Sequence, residues 1–222
     1  MKTLVKIVSL LVVLTGLPVV GGCAPTLLKW EEEVKLHDGQ VIVVKRKEEL
    51  TGTGMPVQQR GFNKYFQFCY APMNIVWKSK PDYVPETFDI VDGKAYAKVS
   101  IGSQLLCMQH SYPTTNALYF HWDGKAWQKI DYADYPKGLR YNMLGSGSEN
   151  DSSRDVHGLV TLAEKEKRSP TMYYLMKKKP EITGLNETPM YKDACKKWIS
   201  SGGPSPAVSP EIFLPATDND CN

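Results

Sequence analysis

The chain has 222 residues, with 27 Lys and Arg against 24 Asp and Glu, a formal charge of +3. Apolar residues at 42% and charged ones at 23% are ordinary globular values, enough for one domain with a core. Near-balance of charge argues against a nucleic-acid binder, which shows a strong basic excess.

The chain opens on Met1, Lys2 and Lys6, followed by the uncharged run Ile7 to Val20. A positive start, an apolar stretch and small residues at its end form the pattern of a secretory signal peptide. At 14 residues the run is short of the ~20 that cross a bilayer, and Pro18 within it disfavours a core helix. The run closes on Val20-Gly21-Gly22-Cys23.

That stretch resembles a bacterial lipoprotein lipobox. The resemblance implies that residues 1–22 leave and that Cys23 becomes the acylated (palmitate-bearing) first residue of the mature protein. Ala24 in place of Asp implies an outer-membrane address, facing the periplasm. More than one acyl chain is needed for stable anchoring, because each buried methylene contributes only ~0.8 kcal/mol. Loss of Lys2 and Lys6 leaves 25 basic against 24 acidic residues.

With Cys23 assigned to lipid, Cys69, Cys107, Cys195 and Cys221 remain, an even number that reads as disulfides in an exported protein. Three connectivities are open. We favour Cys69–Cys107 and Cys195–Cys221, since the first two sit in apolar, strand-like surroundings and the last two in the C-terminal section. No paired C-x-x-C or H-x-x-x-H spacing points to zinc, and no cofactor motif is present.

In chain order, residues 23–29 form a lipidated tether, 30–204 a single β-rich domain and 205–222 a flexible tail, pinned if Cys221 is bridged. Trp30–Leu36 and Val41–Val44 read as strands about the turn His37-Asp38-Gly39-Gln40. Asp-Gly returns at Asp92-Gly93 and Asp123-Gly124, each between strand-like runs, the strongest short hairpin signal. Further strands are expected at Tyr65–Tyr70, Met73–Trp77, Thr87–Val91, Ala95–Ser100, Gln104–Gln109, Ala117–Trp122 and Ala126–Ile130. In the third hairpin Tyr119 and His121 should face one way, Phe120 and Trp122 the other, with cross-strand packing as the role of the aromatics. Asp131–Leu144 is tyrosine-rich and irregular, and Gly145–Asp155 is a polar loop. A short helix is expected within Leu159–Arg168, with Thr161 and Glu164 as a capping box. A second is expected over Thr188–Ile199, where Tyr191, Cys195, Trp198 and Ile199 share a face. The fold class is therefore α+β: mainly antiparallel hairpins in a meander, with one or two helices in the C-terminal third.

Chemistry-bearing residues are sparse. His37 and His121 lie beside Asp-Gly turns, and His157 follows the polar loop. Gly145-Ser146-Gly147-Ser148 lacks the G-x-S-x-G spacing of a nucleophile elbow. Glu31-Glu32-Glu33 reads as a solvated edge strand rather than as a glycosidase pair, and Lys177–Lys179 as a solvated surface. No catalytic or metal-binding residue is assigned.

The stretches WEEEVKLHDG, HWDGKAW and YPKGLRYN are similar to those of uncharacterised proteobacterial envelope lipoproteins, which implies an address and no activity. The expected function is a membrane-tethered, non-enzymatic binding or assembly module for an envelope protein or cell-wall polymer. The alternatives are an envelope hydrolase using His121, His157 or Glu31–Glu33, or an inhibitor of a periplasmic enzyme.

Overall fold

A computed structural model describes residues 26–50, 63–100, 106, 109–110, 117–145, 157–168 and 211–216. The protein is mainly β, with two largely antiparallel sheets. Among the described residues the strands are β1 (Thr26–Lys35), β2 (Val41–Leu50), β3 (Asn63–Tyr70), β4 (Ile75–Ser79), β5 (Pro85–Val91), β6 (Lys94–Ser100), β7 (Ala117–Trp122), β8 (Trp127–Ile130) and β9 (Gly158–Val160), and a short helix, α1, covers Leu162–Arg168. One sheet has the order β4-β3-β2-β1-β9 and the other β5-β6-β7-β8. All pairings are antiparallel except β9, which lies parallel to β1.

The period-2 alternation of β1 and β2 sends Val34, Leu36, Ile42 and Val44 to one face, where they are buried. They meet Phe88, Ala97, Leu118 and Phe120 of the opposite sheet in one core. Aromatic rings lock the two layers: Phe68 sits 4.9 Å from Phe88, and Trp77 lies edge-on to Phe120 at 5.3 Å and to Trp127 at 5.2 Å. Such offset and edge-on pairs contribute ~0.5–1.5 kcal/mol each beyond their buried area. The expected division within β7 holds. Phe120 and Trp122 pack on the central core, while Tyr119 packs on Tyr135 at 4.7 Å over the other face of its sheet.

Each Asp-Gly turn has its own geometry. Asp92 and Gly93 both have positive φ (50° and 74°), as a two-residue type I′ turn requires. In the first hairpin only Gly39 is positive (90°), and Leu36 N–H donates to Gln40 O (2.8 Å), closing a three-residue loop. In the third only Gly124 is positive, and the Asp123 carboxylate accepts from Lys125 N–H and Ala126 N–H, both at 2.8 Å. Those donors hold the Asp123 carboxyl below its usual range.

Several expectations are corrected. β1 begins at Thr26 rather than Trp30. Leu106 and Gln109, expected in a strand, are helical, and His110 N–H donates to Leu106 O (3.1 Å); a continuous apolar run carries no period to separate the two states. Leu159 and Val160 belong to β9, and α1 begins after Thr161. The capping box is as expected: Thr161 N–H donates to Glu164 Oε2 (2.9 Å) and Glu164 N–H to Thr161 Oγ1 (3.3 Å). Glu32 is not solvated but fully buried, because alternation along β1 puts it on the inward face with Trp30 and Val34; β1 is also no edge, being flanked by β2 and β9. Near the C-terminus, Phe213 bridges to Ser79 of β4, and its ring packs on Trp77 at 4.9 Å. The expected helix at Thr188–Ile199 and the basic run Lys177–Lys179 lie outside the described residues.

Candidate functional site

The most chemically distinctive place is a cleft of about 520 Å³ where the β1–β2 turn, β5 and the segment before Met143 meet. Its lining includes Lys35, His37, Asp89, Arg140, Tyr141 and Asn142. Local sequence explains how His37 arrives there. Gly39 supplies the left-handed conformation, the Asp38 carboxylate takes Gln40 N–H at 2.8 Å, and the tight loop turns His37 toward β5.

His37 then engages Asp89 twice. Its backbone N–H donates to Oδ2 (2.9 Å) and its ring Nδ1–H donates to Oδ1 (2.8 Å). Ile90 N–H adds a third donor to Oδ1 at 2.8 Å. Asp89 is 1% exposed, and burial pushes its carboxyl up, against the pull of these hydrogen bonds. Three donors on two oxygens fit the ionised form. The Asp89 hydrogen bond in turn raises the His37 imidazole above 6.5, so the two form an ion pair when His37 is protonated. With Nδ1 occupied, Nε2 is the ring nitrogen left for a ligand.

Asn142 fixes the opposite wall. Its Oδ1 accepts Phe88 N–H (2.9 Å), and its Nδ2 donates to Phe88 O (2.7 Å) and Lys35 O (3.1 Å). One side chain thus ties β5 to the end of β1 and joins the two sheets. The cleft is pre-formed, as ligand sites usually are.

Behind it lies a buried ionic cluster. Glu32 accepts from Arg46 Nη1 (2.8 Å), Lys165 Nζ (2.5 Å) and Leu144 N–H (2.7 Å). Arg46 also donates to Leu144 O (3.0 Å), and Lys165 to Asn142 O (2.6 Å). The guanidinium lies over the Trp30 ring, 5.1 Å from its centre. Burial pushes the Lys165 ammonium down, and Glu32 pulls it back up. Through this cluster α1 holds the segment that carries Asn142.

The sequence candidates do not assemble into one centre. Glu31 faces outward from β1, Glu32 is consumed in the ionic cluster, and Glu33 accepts Leu162 N–H (2.9 Å). His121 is half-buried on β7, and His157 is exposed just before β9. His110 is buried against Tyr83, with Nε2 2.9 Å from the hydroxyl. Burial, and more weakly Lys129, lowers its pKa to about 4, so it is neutral near pH 7. Cys69 is disulfide-bonded; Cys23, Cys107, Cys195 and Cys221 lie outside the described residues, as do Ser146 and Ser148. Among the described residues no group of His, Cys, Asp and Glu could hold a metal, and no helix is long and apolar enough to cross a membrane.

Sequence reasoning missed Asp89 and Asn142 and explained His37 as turn geometry alone. His37 and Asp89 are 52 positions apart, and only the docking of the two sheets joins them. A weak signal was present: an Asp inside the otherwise apolar strand Phe88–Val91, where a carboxylate needs a buried partner. Comparison of the chain with protein-family models, with curated proteins and with solved structures gives no match.

Proposed function

We propose that the protein is a lipid-tethered, non-enzymatic binding module of the bacterial envelope. It is anchored through Cys23 in the outer membrane, faces the periplasm, and takes its ligand in the His37–Asp89 cleft. One observation carries this reading. Among its lining residues the carboxylates of Asp38 and Asp89 and the Asn142 amide are engaged by Gln40 N–H, by His37 and by the backbone of Lys35 and Phe88, and Lys35, His37 and Arg140 bring positive charge to the same cleft. Such a site suits an anionic group, such as a carboxylate on an envelope protein or cell-wall polymer. Among the described residues of its lining there is no Ser, Thr or Cys.

The test is crosslinking of the full-length lipoprotein in intact cells, followed by mass spectrometry of what co-purifies. Arg140→Glu and His37→Gln should each reduce capture of the dominant partner while expression and folding persist. Identical capture by wild type and both variants would overturn the cleft as the binding site.

The His37–Asp89 geometry also favours a second reading, in which the imidazole acts as a general base on water. Turnover of purified sacculi or simple esters, lost in His37→Gln, would establish that hydrolase instead.

A further inference from the structure

The outward face of the β1-containing sheet carries a second concavity, of about 360 Å³, that the cleft does not explain. Lys29, Glu31, Lys45, Lys47, Gln67 and Leu159 are among its lining residues. Lys29 stands directly opposite Lys47 in the β1–β2 register, and Glu31 opposite Lys45. Like charges facing each other across a ladder destabilise it, so a neighbouring anion would relieve the Lys29–Lys47 pair. Period-2 geometry puts Leu27 on this same face, and Leu159 joins it through its register with Glu31. Both leucines are exposed, at 46% and 44%, as are Val41 and Val43 further along the outward side of β2.

The length of chain before β1 says what lies beside this face. Thr26 lies three positions after Cys23, with Ala24 and Pro25 between them, a reach of at most ~11 Å. Three more, in β1, bring the chain to Lys29, another ~10 Å. If Cys23 carries the lipid, as the proposed function requires, Leu27 and Lys29 lie within roughly 20 Å of the acylated residue. The headgroup layer itself is several ångströms deep.

We propose that this face seats on the membrane: Lys29 and Lys47 take the phosphate of an anionic phospholipid headgroup, with Leu27 and Leu159 set against the acyl boundary. The lipid tether then fixes the orientation of the domain as well as its address. Glu49, which stands opposite Leu27 in the register, is neutralised by Lys64, whose ammonium lies 2.7 Å away.

Amine footprinting tests this on the full-length mature lipoprotein. The protein is reconstituted in vesicles of phosphatidylcholine alone, or of equal parts phosphatidylcholine and phosphatidylglycerol, and labelled with an impermeant acylating reagent. Mass spectrometry reads each lysine and also reports the acyl chains on Cys23. Lys29 and Lys47 should label more slowly in the anionic vesicles, by roughly 5-fold, and recover at high salt. Lys94 and Lys125, exposed at the far hairpins of the other sheet, should label alike in both. Acylated Cys23 with no protection of Lys29 and Lys47 overturns the headgroup site and leaves the tether standing. An unmodified Cys23 overturns the tether. The groove is then decided by sedimenting the same chain with anionic vesicles: co-sedimentation that Lys29→Gln/Lys47→Gln abolishes supports it, and no co-sedimentation overturns it.

Discussion

Replacing Glu32 with alanine removes the carboxylate that Arg46 and Lys165 share and strands the Leu144 N–H. Removing one partner of a buried ionic set costs about 3–5 kcal/mol, because the remaining charge is left in a poorly solvated place. A stranded amide adds to that without being strictly additive, so we expect a loss of about 4 kcal/mol. Against a typical total of 5–15 kcal/mol this is severe. It corresponds to a fall in Tm of roughly 8–16 °C for a domain of this size. Urea unfolding at neutral pH measures it. The two cations should differ in rescue. Lys165 already has its ammonium pushed down by burial and can shed its proton, whereas a guanidinium cannot. Glu32→Ala/Arg46→Met should therefore recover more stability than Glu32→Ala/Lys165→Met. A loss below about 1 kcal/mol for Glu32→Ala would refute the account of a buried, charge-dependent clamp.

The two perturbed histidines give the stability curve opposite slopes. His37 is raised above 6.5, so its contribution is full below 6.5 and lost as pH rises through its folded value; Asp89→Asn should flatten that side and return the imidazole toward 6.5 in an NMR titration. His110 is lowered to about 4, so its contribution is full above 6.5 and falls away from there toward pH 4, by up to about 1.4 kcal/mol per unit. His110→Gln should remove that acid limb, and an unchanged limb would refute its assignment. Phe213→Ala should cost about 2 kcal/mol, since the ring covers Trp77 and lies 5.6 Å from Phe120; tryptophan fluorescence should shift red as Trp77 gains water.

Much of the β architecture was legible because strands with one buried face write alternation into the sequence. Ile42 and Val44 alternate with Val41 and Val43, and the Asp-Gly pairs mark where the chain reverses. The capping box at Thr161 and Glu164 is equally local, and it was read from spacing alone. What failed to show was non-local. Glu32 looks like any surface glutamate until Arg46, Lys165 and the backbone of Leu144 surround it, and Lys165 comes from 133 positions further along the chain. Asn142 sits in an irregular tyrosine-rich stretch with no period to reveal that its amide staples two strands. The helical turn at Leu106 was lost for the opposite reason, an apolar run too uniform to carry a period.

β1 connects the two functional proposals physically. Its first residue, Thr26, follows Cys23 by three positions, and its last, Lys35, lines the cleft. Ten residues of strand span ~30 Å, so a domain seated by its Lys29–Lys47 face would hold the His37 turn well away from the anchor proposed at Cys23. The turn stays rigid at that distance because Asp89 binds it to the second sheet and Asn142 binds the end of β1 beside it. A flexible tether would let the cleft sample every orientation, including ones that press it against the lipid. Seating of the Lys29–Lys47 face, as proposed, would restrict that sampling. Inserting a flexible Gly-Ser linker between Ala24 and Thr26 should therefore leave acylation and folding intact while weakening crosslinking at the cleft. Full capture by the lengthened protein would show that the cleft works without a fixed orientation.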